Sequence, residues 1–267
     1  MLHLLKVDLK KLADYRTFWI ICGLYFFTLC MGAASGMEFL KWLARVIDGF
    51  GQHINISRIP LYHFPDIWQN LAWSSGILKM GLAIMTVISI TNEYTYRTIR
   101  QNIIDGLSRE QFLLSKVMTN LVLSVLSMVL VFLIAIVTGL IYSPALDFPY
   151  GFTGIAFYPA YFLEVFTFLS FALMLGIFIQ RSGLTIILLL SSYLIELIIK
   201  ENIEEEVPWM IAYFPLESIM NLVPMPFARY AFQEIRDYVT IGSVAIALGW
   251  ATLFNYFAYL KLKKSDI

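Results

Sequence analysis

The chain has 267 residues, of which 59% are hydrophobic and 14% charged, with a mean hydropathy of +0.73. Soluble domains carry about a quarter charged residues, so this composition excludes a molecule that is water-exposed on all sides. Nineteen basic side chains balance nineteen acidic ones, which leaves no overall basic field for nucleic acid.

At the N-terminus, Leu2, Leu5, Leu9 and Leu12 recur at helical spacing, with Lys6, Lys10, Lys11 and Asp14 between them. This predicts an amphipathic helix over residues 1–16 that lies in the membrane interface. No small-x-small cleavage site follows, so a cleaved signal peptide is not expected. Cys22 and Cys30 both fall in the first apolar run. Eight helical residues rise about 12 Å, too far for a disulfide, and both are read as small core residues.

A crossing helix needs about 20 mostly apolar residues. Six stretches qualify: 18–37, 71–91, 117–142, 159–180, 184–199 and 238–260, the fifth being short. The predicted fold is therefore an all-α integral membrane protein in one domain over 1–267. The connection 38–70 is long, aromatic and amphipathic, and 143–158 holds Pro144, Pro149, Gly151 and Gly154. The connection 200–237 opens on Glu201, Glu204, Glu205 and Glu206 and continues into an apolar stretch broken by proline. Proline prevents a full span there, which predicts a re-entrant or interfacial hairpin before the sixth helix.

Orientation follows from Lys and Arg. With the N-terminus inside, twelve of the nineteen basic residues fall on inner segments, and Lys261, Lys263 and Lys264 anchor the tail. Both termini are therefore expected in the cytoplasm, and 92–116 is an inner loop. Within it Tyr96, Ile99, Ile103 and Leu107 follow helical spacing, with Arg97, Arg100, Gln101 and Asp105 elsewhere on the wheel. Gly106 is placed to end this helix, and Ser108-x-x-Gln111 reads as a capping box that starts the next. A solvated inner loop is one reading of this segment. The other is a rigid docking element for a cytoplasmic partner.

This run resembles the inner loop of ABC-2 type transporter permeases. In that family an acidic residue closes the second span. A small-residue-Thr pair, a helix, a small turn, a Ser-Arg and a Lys opening the third span follow in order. The matching positions are Glu93, Thr98, Gly106, Ser108, Arg109 and Lys116, and Arg97 stands where many members have a small residue. The interfacial helix, six spans and broken hairpin resemble the family as well. The resemblance implies a multi-pass permease of the bacterial cytoplasmic (inner) membrane that works as an exporter, and the aromatic content of 16% suits an amphipathic or hydrophobic substrate. It implies a dimer, with itself or with a second permease, through the first and fifth spans, and two copies of a cytoplasmic ATPase. The chain has no Gly-x-x-x-x-Gly-Lys-Ser/Thr loop, so ATP and Mg belong to that partner and no cofactor is expected here. Glu93 is expected to lock the base of the coupling helix, with Arg97 or Arg100 as its partner at helical spacing.

Lys79, Glu164 and Glu196 lie inside apolar spans, where a charge costs a few kcal/mol. They are candidates for a translocation path, while Lys79 also suits snorkelling to the outer interface. Gly23, Gly32, Ala33, Ala34, Ser35 and Gly36 would let the first span pack closely. His3, His53 and His63 fall outside the spans, which argues against a metal site and against an intramembrane metalloprotease or Ser-His hydrolase. A non-transporting membrane module for peptide sensing or immunity is the other class the sequence leaves open.

Overall fold

The computed structural model describes residues 2–46, 61–143, 150–203, 205–226 and 238–265, and among them every regular element is helical. The order is α1 (Leu2–Ala13), α2 (Arg16–Val46), α3 (Ile67–Thr95), α4 (Thr98–Ile104) and α5 (Arg109–Tyr142). It continues with α6 (Phe157–Ile179), α7 (Ser182–Ile203), α8 (Pro215–Met220) and α9 (Ile241–Lys264). Short 3-10 turns occupy Tyr150–Phe152 and Pro208–Tyr213. Five helices, α3, α5, α6, α7 and α9, are long and apolar enough to cross a membrane. The chain turns by 82° between Leu4–Ala13 and Arg16–Gly32, a bent pair that makes six if counted as one span.

Helix α2 runs nine residues past the predicted end at 37. Residues 38–46 contain no glycine or proline to stop it. Of the predicted outer connections, 47–60, 144–149, Glu204 and 227–237 lie outside the described residues, and with them His53, Arg58, Pro144, Pro149, Arg229 and Arg236. Helix α7 extends beyond the short predicted span to Ile203.

Helix α6 is the centre of the bundle. Tyr161, Phe168, Leu169, Leu173 and Ile177 are all fully buried, and α3, α5, α7 and α9 surround it. Gly176 permits a close approach: a Cβ there would overlap the side chain of Ile90 on α3. At one end of the bundle, Trp68 stacks on Phe132 and Phe152 and donates to the Gly151 carbonyl at 2.6 Å.

The proline-broken segment forms two short helices rather than a span. Pro208 and Pro215 each open one, where the missing N–H costs nothing. Leu216, Ile219, Leu222 and Val223 are buried against the core, while Trp209, Tyr213 and Met225 face outward. Gln69 donates to the Pro224 carbonyl at 3.0 Å and Trp250 to the Tyr213 carbonyl at 2.9 Å, pinning the hairpin to α3 and α9.

Candidate functional site

Helix α3 stops at Thr95, and Arg97 then takes a left-handed conformation at φ 56°. That single residue turns the chain and lets Thr98 start α4. The end of α4 is a Schellman motif: Leu107 N–H reaches the Asn102 carbonyl at 2.9 Å and Gly106 N–H the Ile103 carbonyl at 3.0 Å. Gly106 has φ +96°, which only glycine adopts without strain. Two residues later the Ser108 hydroxyl accepts from Gln111 N–H at 3.1 Å, and the Gln111 side chain accepts from Ser108 N–H at 3.0 Å. This capping box starts α5.

The seven-residue α4 is amphipathic. Ile99 is buried with Ile90, Phe112, Leu173, Ile177 and Leu262, so α4 rests on α3, α5, α6 and α9 together. Arg97, Arg100, Gln101 and Ile104 form the opposite, exposed face, and Ile104 is 77% exposed. Arg109 does not join that face. Its guanidinium donates to the Lys263 carbonyl at 2.6 Å, and Glu110 accepts from Tyr259 at 2.7 Å, so both hold the C-terminal end of α9.

Beneath α4 lies a buried ionic cluster. The Lys116 ammonium sits 3.0 Å from Glu93 and 3.1 Å from Asp8, joining α5 to α3 and α1. Ser115 donates to the other Asp8 oxygen at 2.5 Å, and Lys11 reaches Glu93 at 3.3 Å. The Thr98 hydroxyl donates to the second Glu93 oxygen and, at 3.3 Å, to the Glu93 carbonyl. Glu93 thus holds the first residue of α4 directly. Its ion-pair partners are Lys116 and Lys11 rather than the expected Arg97 or Arg100. The left-handed turn at Arg97 ends the helical spacing that the expectation needed.

From this cluster a buried polar seam runs through the bundle. On α3, Glu93, Thr86 and Lys79 repeat every seven residues and are all buried, over a rise of about 21 Å. On α5, Lys116, Asn120, Ser124 and Ser127 follow at spacings of three and four. Thr86 donates to the Asn120 side-chain oxygen at 3.0 Å. Ser127 is hydrogen-bonded to Tyr25 at 2.6 Å and to Tyr161 at 2.8 Å. At the far end Lys79 and Glu164 form an ion pair at 2.6 Å, with side chains only 6% and 5% exposed. Lys79 also lies over the Phe168 ring. Each side chain is buried in the bundle, where the two pair with one another.

Glu196 stands apart from the seam. Its two oxygens accept the backbone N–H groups of Leu216 at 2.9 Å and Glu217 at 2.6 Å. It is a cap supplied by α7 to the first turn of α8, and Lys200 pairs with Glu217 at 2.5 Å beside it. The eleven sequence candidates therefore separate. Glu93, Thr98 and Lys116 converge, and Arg97 and Arg100 share the exposed face of α4. Gly106 and Ser108 shape the turn, Arg109 holds α9, Lys79 pairs with Glu164, and Glu196 braces the hairpin.

Asp8 is the member that sequence reasoning missed. It lies on the Leu5, Leu9 and Leu12 stripe of α1, and an acid on an apolar stripe was the available signal. The seam was also legible as Thr86, Asn120, Ser124 and Ser127 on one face of otherwise apolar spans.

Comparison with curated proteins finds no match. A family model described as "Protein of unknown function (DUF2705)" matches residues 62–267. The matched stretch holds the whole α3–α5 connection, Lys116 and the Lys79–Glu164 pair, but not Asp8 or Lys11. The chain belongs to this family of unknown function, DUF2705.

Proposed function

We propose that the chain is the membrane subunit of an ATP-driven exporter of the ABC-2 permease type, with six crossings and both ends in the cytoplasm. The observation that carries the reading is α4. It is a short helix capped at its C-terminal end, its outer face exposed and its first residue tied through Glu93 to Lys116 and Asp8. A helix so braced passes a push on its outer face to α1, α3 and α5, which a loose loop does not. Topology is supported by what gathers at this end of the bundle. The N-terminal helix meets α5 through Asp8, and the C-terminal end of α9 meets it through Lys263. This is also the end that carries Arg97, Arg100, Arg109 and the basic tail, as the positive-inside bias requires.

In this reading two separate ATPase subunits supply ATP chemistry and the chain itself is not an enzyme. A second permease copy or homologue covers exposed apolar faces such as Trp19, Ile20, Leu24 and Phe27 on α2, or Leu184 and Ile187 on α7. The test is co-purification: the chain is isolated from its own host's membranes and the eluate is probed for an ABC ATPase. Wild type and the distant Glu196→Gln variant should retain the ATPase. Arg100→Glu with Ile104→Asp should lose it while the chain stays folded. An ATPase that binds all three equally, or none, overturns the proposal.

A further inference from the structure

The Lys79–Glu164 pair is the floor of a cavity of about 230 Å³ bounded by α3, α6, α7 and the hairpin. The wall above the pair is mostly apolar, with Trp73, Met80 and Val223 among its residues, and its polar member is Tyr193, which hydrogen-bonds Lys79. The rim is apolar and open: Ile77 is 63% exposed and Met220 is 47% exposed. Both rim residues are exposed large apolar side chains on a bundle whose long helices are of membrane-spanning character, so the mouth suits an apolar neighbour. The charged floor lies about 21 Å along α3 from Glu93 and has no part in holding α4. Gly76 keeps the floor open, because a Cβ there would come within 2.6 Å of the Glu164 carboxylate.

The geometry points to a binding site for a zwitterionic amphiphile, its apolar tail leaving through the Ile77–Met220 rim and its headgroup on the Lys79–Glu164 pair. An apolar mouth leading to a charged floor selects a molecule with one apolar and one charged end. The pair itself selects the charge. A purely anionic headgroup bound to Lys79 would strand Glu164, and a cationic one bound to Glu164 would strand Lys79, each leaving an uncompensated charge in an apolar site. A headgroup carrying both signs replaces the internal pair by two new pairs and strands nothing. This deepens the exporter reading by naming a cargo class, and it rests on that reading only for the transport step.

Trp73 in the wall makes the site readable by fluorescence quenching. The purified full-length chain, in a maltoside detergent, is titrated with three short-chain lipids that share brominated tails. They carry phosphatidylcholine, phosphatidylglycerol and uncharged diacylglycerol headgroups. The quenching that Trp73→Phe removes should saturate with the phosphatidylcholine probe at a concentration at least tenfold lower than with either of the others. Lys79→Met with Glu164→Leu should abolish that preference. Met220→Phe narrows the rim without touching the pair or adding a tryptophan, and should weaken the phosphatidylcholine response even if the double variant does not fold. Equal quenching by all three probes, or a preference for the anionic one, overturns the assignment, as does a preference that survives both variants. No ATPase enters this measurement, so failure of the exporter reading and failure of this site are separate outcomes.

Discussion

Replacing Lys116 by methionine removes the one cation that Asp8 and Glu93 share. Its side chain is 6% exposed and those of its partners 9% and 6%, so the carboxylates left behind are largely shut off from water. Breaking a buried pair by deleting one partner costs about 3–5 kcal/mol. Lys11 still reaches Glu93, but its side chain is 43% exposed and such a pair returns at most about 1 kcal/mol. Ser115 and Thr98 keep their hydrogen bonds to the carboxylates and favour the low end, so the net loss is about 3 kcal/mol. The loss is concentrated on α1, because Lys116 is the cation at ion-pair distance from Asp8 among the described residues. Amide hydrogen exchange reads it directly: about 3 kcal/mol is about a hundredfold faster opening of residues 2–13. Exchange at the centre of α6 should change far less. Asp8→Asn in the Lys116→Met background should recover part of the protection, since it removes a stranded charge. If exchange of α1 rises less than threefold in Lys116→Met, or rises equally in α1 and α6, the cluster is not what docks α1.

Other outcomes follow from the caps. Gly106→Val places a β-branched residue at φ +96°, and should destabilise the α4–α5 turn by at least about 1 kcal/mol, seen as faster exchange at Leu107. Glu196→Gln keeps the shape but gives up the charge and one of the two acceptors for the Leu216 and Glu217 amides. It should loosen the hairpin by about 1–2 kcal/mol, seen as faster limited proteolysis near Trp209, with α4 unaffected. Protection of α8 that stays at the wild-type level would refute the capping role.

Local chemistry was readable from the chain. Gly106, the Ser108–Gln111 box and the apolar runs act over three to seven residues, and helix signals of that range are written where they operate. The stop at Gly106 and the start at Ser108 appear in the structure where the spacing puts them. The end of α3 was harder, because Tyr94-Thr95-Tyr96-Arg97 contains no glycine or proline, and the left-handed turn falls on Arg97.

Partnerships belong to the tertiary structure. Glu93 and Lys116 are 23 residues apart, Asp8 and Lys116 are 108 apart, and Lys79 and Glu164 are 85 apart. No periodicity links such positions, since the choice depends on which helix faces pack together. The sequence marked Lys79, Glu164 and Glu196 alike as charges in apolar spans, because each carries the same cost of burial there. Only the packing of α6 against α3, and of α8 against α7, separated them. Two of them neutralise each other at the floor of a cavity, and the third hydrogen-bonds two backbone amides.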